Sequence, residues 1–294
     1  MEKIVYKNSD GETLVFQKGQ NFNLRSKSGF ETTETIVRDE EMYGVDGAIV
    51  VSTKLAVRDM TIRGEITPLT ATYDHEELLT LRQNLIRIMN PKLSGTITYT
   101  NNIGEYSIDA IPIFAPSFDE VNKTYKLPFL IQLKALDPYW LDKSEIDAEI
   151  PMAREENLFE FPLEITDNFE FSRLVAGDVI EIQNNGDVSV GAVFTINANG
   201  ILKNPRIYNV ITQEYFALNG TFTTGTKLRI STVRGKKRVE QEDGDGWYNS
   251  MTKRKVESKF LQIDRGINYL QLQADEGAEF TTSYIRFEPK VVGV

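Results

Sequence analysis

With 294 residues, 40% of them apolar and 26% charged, the chain can bury enough surface to fold unaided and is long for one core, so two domains are expected. A net charge of −10 speaks against a nucleic-acid grip, whose free energy is dominated by neutralised phosphates. Cysteine is absent, which removes disulfides, thiolate nucleophiles and thiolate metal sites together. No run approaches the ~18 apolar residues of a membrane helix, and "MEKIVYKNSDGE" lacks the apolar core of a signal peptide, so synthesis and retention in a cytoplasm, without membrane insertion, are expected.

In chain order, "GAIVVSTKLAVRDMTIRGEI" (47–66) alternates well enough for two strands. "YDHEELLTLRQNLIRIMNP" then predicts the one convincing helix. Asp74 can cap it, Glu77 lies three residues on, Leu78, Leu81, Leu85 and Met89 recur at helical spacing, and Asn90-Pro91 stops it. Leu79, Ile86 and Ile88 widen the apolar stripe, so the helix should lie against a sheet. "GTITYTNNIGEYSIDAIPIF" (95–114) reads as a hairpin about Asn101-Asn102, and "KTYKLPFLIQLKAL" (123–136) as another strand. Residues 1–141 therefore form one β-rich domain with a single helix. Residues 142–162, charged and with two prolines, read as a connection holding a short strand or arm.

Beyond it, 163–294 form the second domain, a β-sandwich or barrel of short strands. Asn185-Gly186, Asn199-Gly200 and Asn219-Gly220 each suit a type I′ turn, and "ILKNPRIYNVITQEYFAL" (201–218) runs out and back. No repeat with a period of 20 to 50 residues is visible.

The chain offers little chemistry. The single histidine, His75, falls in the first helical turn, where an exposed polar residue is ordinary, and a triad or two-His metal site needs more than this. No phosphate-cradling glycine loop is present. In "EQEDGDGWYN" (240–249), Glu240, Glu242, Asp243 and Asp245 could gather oxygens for a hard cation, but the spacing is not that of an EF-hand. A solvated hairpin tip, balanced by Lys236, Lys237 and Arg238 before it and Lys253, Arg254 and Lys255 after it, fits better. Asn122-Lys123-Thr124 and Asn219-Gly220-Thr221 match the glycosylation pattern as chance occurrences. No catalytic, cofactor-binding or metal residues are assigned, and no cofactor is expected.

One piece stands out: Asp137-Pro138-Tyr139-Trp140, which holds one of only two tryptophans. Pro138 cannot donate a ladder hydrogen bond and restrains Asp137 to an extended shape, so the strand should end here while Tyr139, Trp140 and Leu141 fold back onto apolar surface. The motif reads as a domain junction, with Trp140 fixing the angle at which the second domain leaves.

Taken in order, "GVDGAIV" (44–50), "RDMTIRGEI" (58–66), "LPFLIQLKALDPYWL" (127–141), "NNGDVSVGAVFTINANGILKNPRIYN" (184–209), "GTKLRISTVRGKKRV" (225–239) and "DRGINYLQLQADEG" (264–277) resemble the distal tail protein family of siphoviruses. The resemblance implies a mainly β chain: an N-terminal ring-forming domain with one helix and an extended hairpin, and a C-terminal galectin-like β-sandwich. It further implies a non-enzymatic virion protein of the tail tip, assembled in the host cytoplasm. Six copies would form a ring that joins the tail tube to the tip or baseplate and lets DNA pass. Its partners would be further copies of itself, the major tail tube protein, the tape-measure protein, the tail-associated lysin or tip hub protein, and receptor-binding proteins at the side. Galectins bind sugar through His, Asn, Arg, Trp and Glu on adjacent strands; here the only His lies in the other half and Trp247 alone cannot supply the site. The alternative is a carbohydrate- or receptor-binding module contacting the host wall. The negative charge adds the expectation of a negative lumen that does not retain DNA.

Overall fold

The computed structural model describes residues 2–69, 75–119, 126–143, 149–157, 172–176, 178–244 and 246–294. Asp74, the Asn122-Lys123-Thr124 sequon, Asp245 and part of the 142–162 segment lie outside them. The chain divides into two units, Met1–Ser144 with Val291–Val294, and Glu145–Lys290. The sequence reading carried the second domain to residue 294; residues 291–294 instead belong with the first unit, because Arg58 and the Phe30 main chain supply their hydrogen-bond partners.

The first unit contains β1 (Lys3–Asn8), β2 (Thr13–Gln17), β3 (Phe22–Ser28), β4 (Thr35–Glu41), β5 (Ala48–Leu55), β6 (Arg58–Ile66), α1 (His75–Ile88), β7 (Gly95–Thr100), β8 (Glu105–Pro112), β9 (Ser117–Phe118), β10 (Leu127–Ala135) and β11 (Trp140–Asp142). Its sheet runs β11-β8-β7-β1-β2-β3-β6-β10-β9, with the short strand Lys290–Val291 on the outer side of β11, and β8 also pairs with β10. That second pairing, Leu133 opposite Pro112, closes the sheet into a barrel and removes most of its edges. The β6–β10 ladder runs unbroken from Arg58 opposite Ala135 to Ile66 opposite Leu127. Period-two alternation turns Met60, Ile62 and Ile66 of β6, and Phe129, Ile131, Leu133 and Ala135 of β10, into the core.

The expected helix is present, with Leu78, Leu85, Ile88 and Met89 buried and Leu81 packed against the same core. Leu79 and Ile86 are 39% and 38% exposed rather than part of the buried stripe. At about 100° per residue they fall beside the Leu78–Leu81–Leu85–Ile88 line, whose width already covers the facing strands. The hairpin about Asn101-Asn102 joins β7 to β8, with Asn101 Oδ1 accepting from the Ile103 and Gly104 amides at 2.8 and 2.9 Å.

The second unit contains β12 (Ile150–Pro151), β13 (Ala153–Asn157), β14 (Ser172–Ala176), β15 (Val179–Asn184), β16 (Val190–Ala198), β17 (Leu202–Lys203), β18 (Arg206–Asn209), β19 (Tyr215–Ala217), β20 (Thr221–Phe222), β21 (Lys227–Ser231), β22 (Arg238–Glu242), β23 (Trp247–Asn249), β24 (Gln262–Ile263), β25 (Gly266–Gln273) and β26 (Thr281–Phe287). One sheet is ordered β12-β26-β16-β21-β22-β23 with β24 also on β16, the other β15-β25-β18-β19. Phe194, Ile230 and Ile285 of the first and Ile182, Ile207 and Leu270 of the second share one buried cluster, which makes the unit a β-sandwich of the galectin-like kind. Part of the supposed connection is built into it: β12 is an edge strand of the large sheet and β13 pairs with β14.

The type I′ expectation fails at all three Asn-Gly pairs. Neither Gly186 nor Gly200 has a positive φ, and at Asn219-Gly220 only the glycine does, at 130°. Space explains the first two glycines: a Cβ on Gly186 would sit 2.8 Å from the Lys290 main chain, and one on Gly200 would sit 2.9 Å from the Phe280 Cβ.

Candidate functional site

Arg58 opens β6 at an inward position of its alternation and is 1% exposed. A buried guanidinium is tolerable only when its fixed fan of N–H groups finds acceptors. Here all the acceptors are main-chain carbonyls. Nε donates to Pro138 O at 2.8 Å, and Nη1 donates to Gly29, Phe30 and Thr32 O at 2.7, 3.0 and 3.2 Å. Nη2 donates to Val292 O. Burial lowers the arginine pKa from its usual value while the nearby Glu31 carboxylate opposes the shift. One side chain thus ties the loop after β3, the segment after β10 and residues 291–294 together. The loop must pass close: Gly29 has φ +82°, and a Cβ there would lie 2.0 Å from Asp59 O.

Beside this hub lies the Asp137-Pro138-Tyr139-Trp140 motif. β10 ends at Ala135; Asp137 is exposed, Pro138 and Tyr139 are half-buried, and Trp140 is fully buried in the first unit's core. The indole Nε1 donates to Phe30 O at 3.2 Å, its ring lies 5.2 Å from Phe30 and 6.4 Å from Tyr99, and the Arg58 guanidinium is 6.0 Å from its centre. Lys27 Nζ caps the cluster 4.6 Å over Tyr99 and pairs with Glu31 at 2.5 Å. Burial opposes the Lys27 charge, but the Glu31 hydrogen bond and the pull of Tyr99 and Glu31 raise its pKa overall. Buried polar groups here bind main chain, so the cluster offers rigidity and no reactive group.

The other candidates do not converge. His75 is exposed at the start of α1. Glu242 pairs with Lys227 at 3.0 Å and Glu240 with Arg238 at 3.3 Å. Of the flanking basic residues expected to balance them, only Arg238 does so among the described residues; Lys253 instead donates to Gln241 Oε1 at 2.5 Å and Lys255 pairs with Glu257 at 3.4 Å. The register explains this, since β21 places Lys227 and Arg229 directly opposite those carboxylates. Trp247 is 37% exposed with the Arg229 guanidinium 3.9 Å over its ring. Among the described residues no three His, Asp or Glu side chains gather as metal ligands.

The largest unpartnered feature is the arm formed by β4 and β5. Among the described residues the two strands pair only with each other, antiparallel from Thr35 opposite Leu55 to Glu41 opposite Ala48, with a bulge near Arg38. Every residue of both strands is exposed except the half-buried Leu55. Val37, Met42, Val45, Ile49, Val50 and Val51 are 48% to 59% exposed, and Tyr43 at the tip is completely so. A lone two-stranded hairpin is marginal in water, and its two open edges and apolar side chains are the marks of an interface. Alternation in the sequence points to β5 but not to β4, whose second half is charged. The signal for Arg58 was present: an arginine in phase with Met60, Ile62 and Ile66.

Two family models match in chain order: the phage tail protein RIFT-related domain over residues 9–132, and the C-terminal domain of the siphovirus-type tail component over 185–286. No curated protein matches the chain. Among solved structures it is similar to the crystal structure of SPP1 Dit (gp 19.1), with a TM-score of 0.70 at 12% identity over 98% of each chain. It is also similar to a chain of the phage P2 baseplate in its activated conformation with Ca, with a TM-score of 0.52 at 10% identity over 100% of this chain and 99% of that one. At these identities the likeness is one of fold. The paired domain models and the barrel and sandwich that carry them lead to one conclusion: the chain belongs to the siphovirus distal tail protein family, structural proteins of the phage tail and baseplate.

Proposed function

We propose that copies of this chain close into a hexameric ring at the virion's tail tip, joining the tail tube to the tip or baseplate and leaving a lumen through which DNA passes. The observation that carries the reading is the β4–β5 arm, an apolar two-stranded element with no partner among the described residues. A ring needs two different surfaces per subunit, and an arm reaching to the next copy supplies one of them. The partners would be the major tail tube protein, the tape-measure protein and the tail-associated lysin or tip hub protein, with receptor-binding proteins at the side. The role is architectural, without catalysis. The net charge of −10 fits a lumen that does not hold DNA.

We read Asp137-Pro138-Tyr139-Trp140 as the anchor from which the second domain leaves the ring. Light scattering and negative-stain imaging of the purified full chain test the assembly: rings of uniform size are expected, and deleting 36–54 should leave monomers. A monodisperse monomer at high concentration, with no rings on the grid or in purified tails, refutes the ring. Binding of wall polysaccharide that Trp247→Ala abolishes would instead favour the receptor-binding alternative.

A further inference from the structure

Three asparagines are followed by glycine: Asn185, Asn199 and Asn219. Such a pair carries a reaction of its own, because a glycine nitrogen, with no side chain beside it, can reach the carboxamide carbon of the residue before it. The fold treats the three amides differently. Gly186 N donates to Asn184 Oδ1 at 2.9 Å in buried surroundings, and Gly220 N donates to Asn204 Oδ1 at 2.8 Å. Gly200 N and the Asn199 carboxamide have no hydrogen-bond partner among the described residues. Asn199 is exposed where β16 ends, and the chain is pinned up to that point: Asn199 N donates to Phe280 O and Gly225 N donates to Ala198 O, both at 2.8 Å. Freedom begins one peptide further on. Packing also holds the glycine in place, since a Cβ on Gly200 would lie 2.9 Å from the Phe280 Cβ, so a bulkier residue that would slow the attack has to displace Phe280.

We propose that Asn199-Gly200 is a site of self-catalysed modification, deamidation through a cyclic imide, and the fastest of the three pairs. Gly200 N gives its proton to hydroxide and attacks Asn199 Cγ. The C–N bond that forms closes the imide as the side-chain nitrogen leaves as ammonia, taking its third proton from water. Water then opens one of the two ring carbonyls. The product is aspartate at 199, or isoaspartate, in which the main chain runs through the former side-chain carboxyl. One water is consumed and one ammonia released, with no cofactor. At Gly186 and Gly220 the amide must first give up its side-chain acceptor, which should slow the step about tenfold relative to Gly200. The new carboxylate sits beside Ile201 and Phe280, both exposed, on a chain already at −10. A virion protein is not renewed after assembly, so the change accumulates with the age of the particle.

The purified full-length chain is held in warm, mildly alkaline buffer, the three peptides are followed by mass spectrometry, and isoaspartate is read by enzymatic methylation. Deamidation at Asn199 is expected about tenfold ahead of Asn185 and Asn219, faster as pH rises, and as a mixture of the two acids. In urea the three should react at similar rates, because only the fold separates them. Asn204→Gly removes the acceptor of Gly220 N while leaving the φ of 49° at residue 204 accessible, and should raise Asn219 to the rate of Asn199. Aged tails should carry more of the product than fresh ones. Equal rates at the three sites in the folded chain, or the same order of rates in buffer and in urea, overturn the proposal. So does an Asn199 that stays intact while Asn219 reacts, or an Asn219 rate unmoved by Asn204→Gly.

Discussion

Replacing Arg58 by methionine withdraws the guanidinium donors from a set of acceptors that cannot themselves be deleted, because all five are main-chain carbonyls. Phe30 O keeps two other donors, Trp140 Nε1 and the Val294 amide, both at 3.2 Å. The Gly29, Thr32 and Pro138 carbonyls lose the Arg58 donor. An orphaned buried acceptor costs about 1–3 kcal/mol. Thr32 is exposed and water can replace its bond, so taking the low end for the part-buried Gly29 and Pro138 carbonyls gives a loss of about 2 kcal/mol. That is a large fraction of the roughly 5–15 kcal/mol that keeps a domain folded. Arg58→Lys retains a charge but brings three donors at one point instead of a planar fan, so it should recover only part of the loss. Urea unfolding followed by tryptophan fluorescence in a Trp247→Phe background reports the first unit alone through Trp140. An unfolding free energy within about 1 kcal/mol of the parent for Arg58→Met, or Arg58→Lys no better than Met, would refute the hub.

Trp140→Ala should cost the first unit about 3–5 kcal/mol, as for other fully buried aromatics, leave the Trp247 transition in place, and widen the small-angle scattering distribution through a loosened junction. Tyr6 is fully buried, its hydroxyl has no hydrogen-bond partner, and burial pushes its pKa from 10.0 to about 12. Above pH 10 the unfolded phenol ionises while the folded one stays protonated, so the unfolded state binds fewer protons and stability falls as pH rises towards 12. At 1.36 kcal/mol per unit the whole effect is at most about 2.7 kcal/mol. Tyr6→Phe should be neutral at pH 7 and lose that slope in alkaline urea titrations; equal slopes for both chains would count against it.

Alternation, turn residues and one amphipathic helix are local signals, and each was legible: β5 and β6, α1, the Asn101-Asn102 hairpin and β10 all stand where the pattern puts them. What was not legible is non-local. The β8–β10 pairing that closes the barrel and the β2–β3 parallel contact join segments whose own sequences say nothing of each other. The Asn-Gly turns were misread because glycine was assigned to positive φ, when at Gly186 and Gly200 it answers the close approach of Lys290 and Phe280. Arg58 was passed over because a charged residue in an alternating strand is ordinarily assigned to the solvent face; its phase with Met60 and Ile62 says otherwise.

The arm shows how sequence and structure together say more than either alone. "AIVV", residues 48–51, is a continuous apolar run, which in a strand ordinarily means both faces covered. In the single chain the same residues are exposed on both faces, and the strand's outer edge is unpaired. β4 repeats the conflict in weaker form, with Ile36 and Val37 followed by Arg38, Asp39, Glu40 and Glu41. A pattern written for burial that the fold leaves in solvent implies a covering surface outside the subunit. The acids that interrupt it keep the free arm from pairing with any edge it meets.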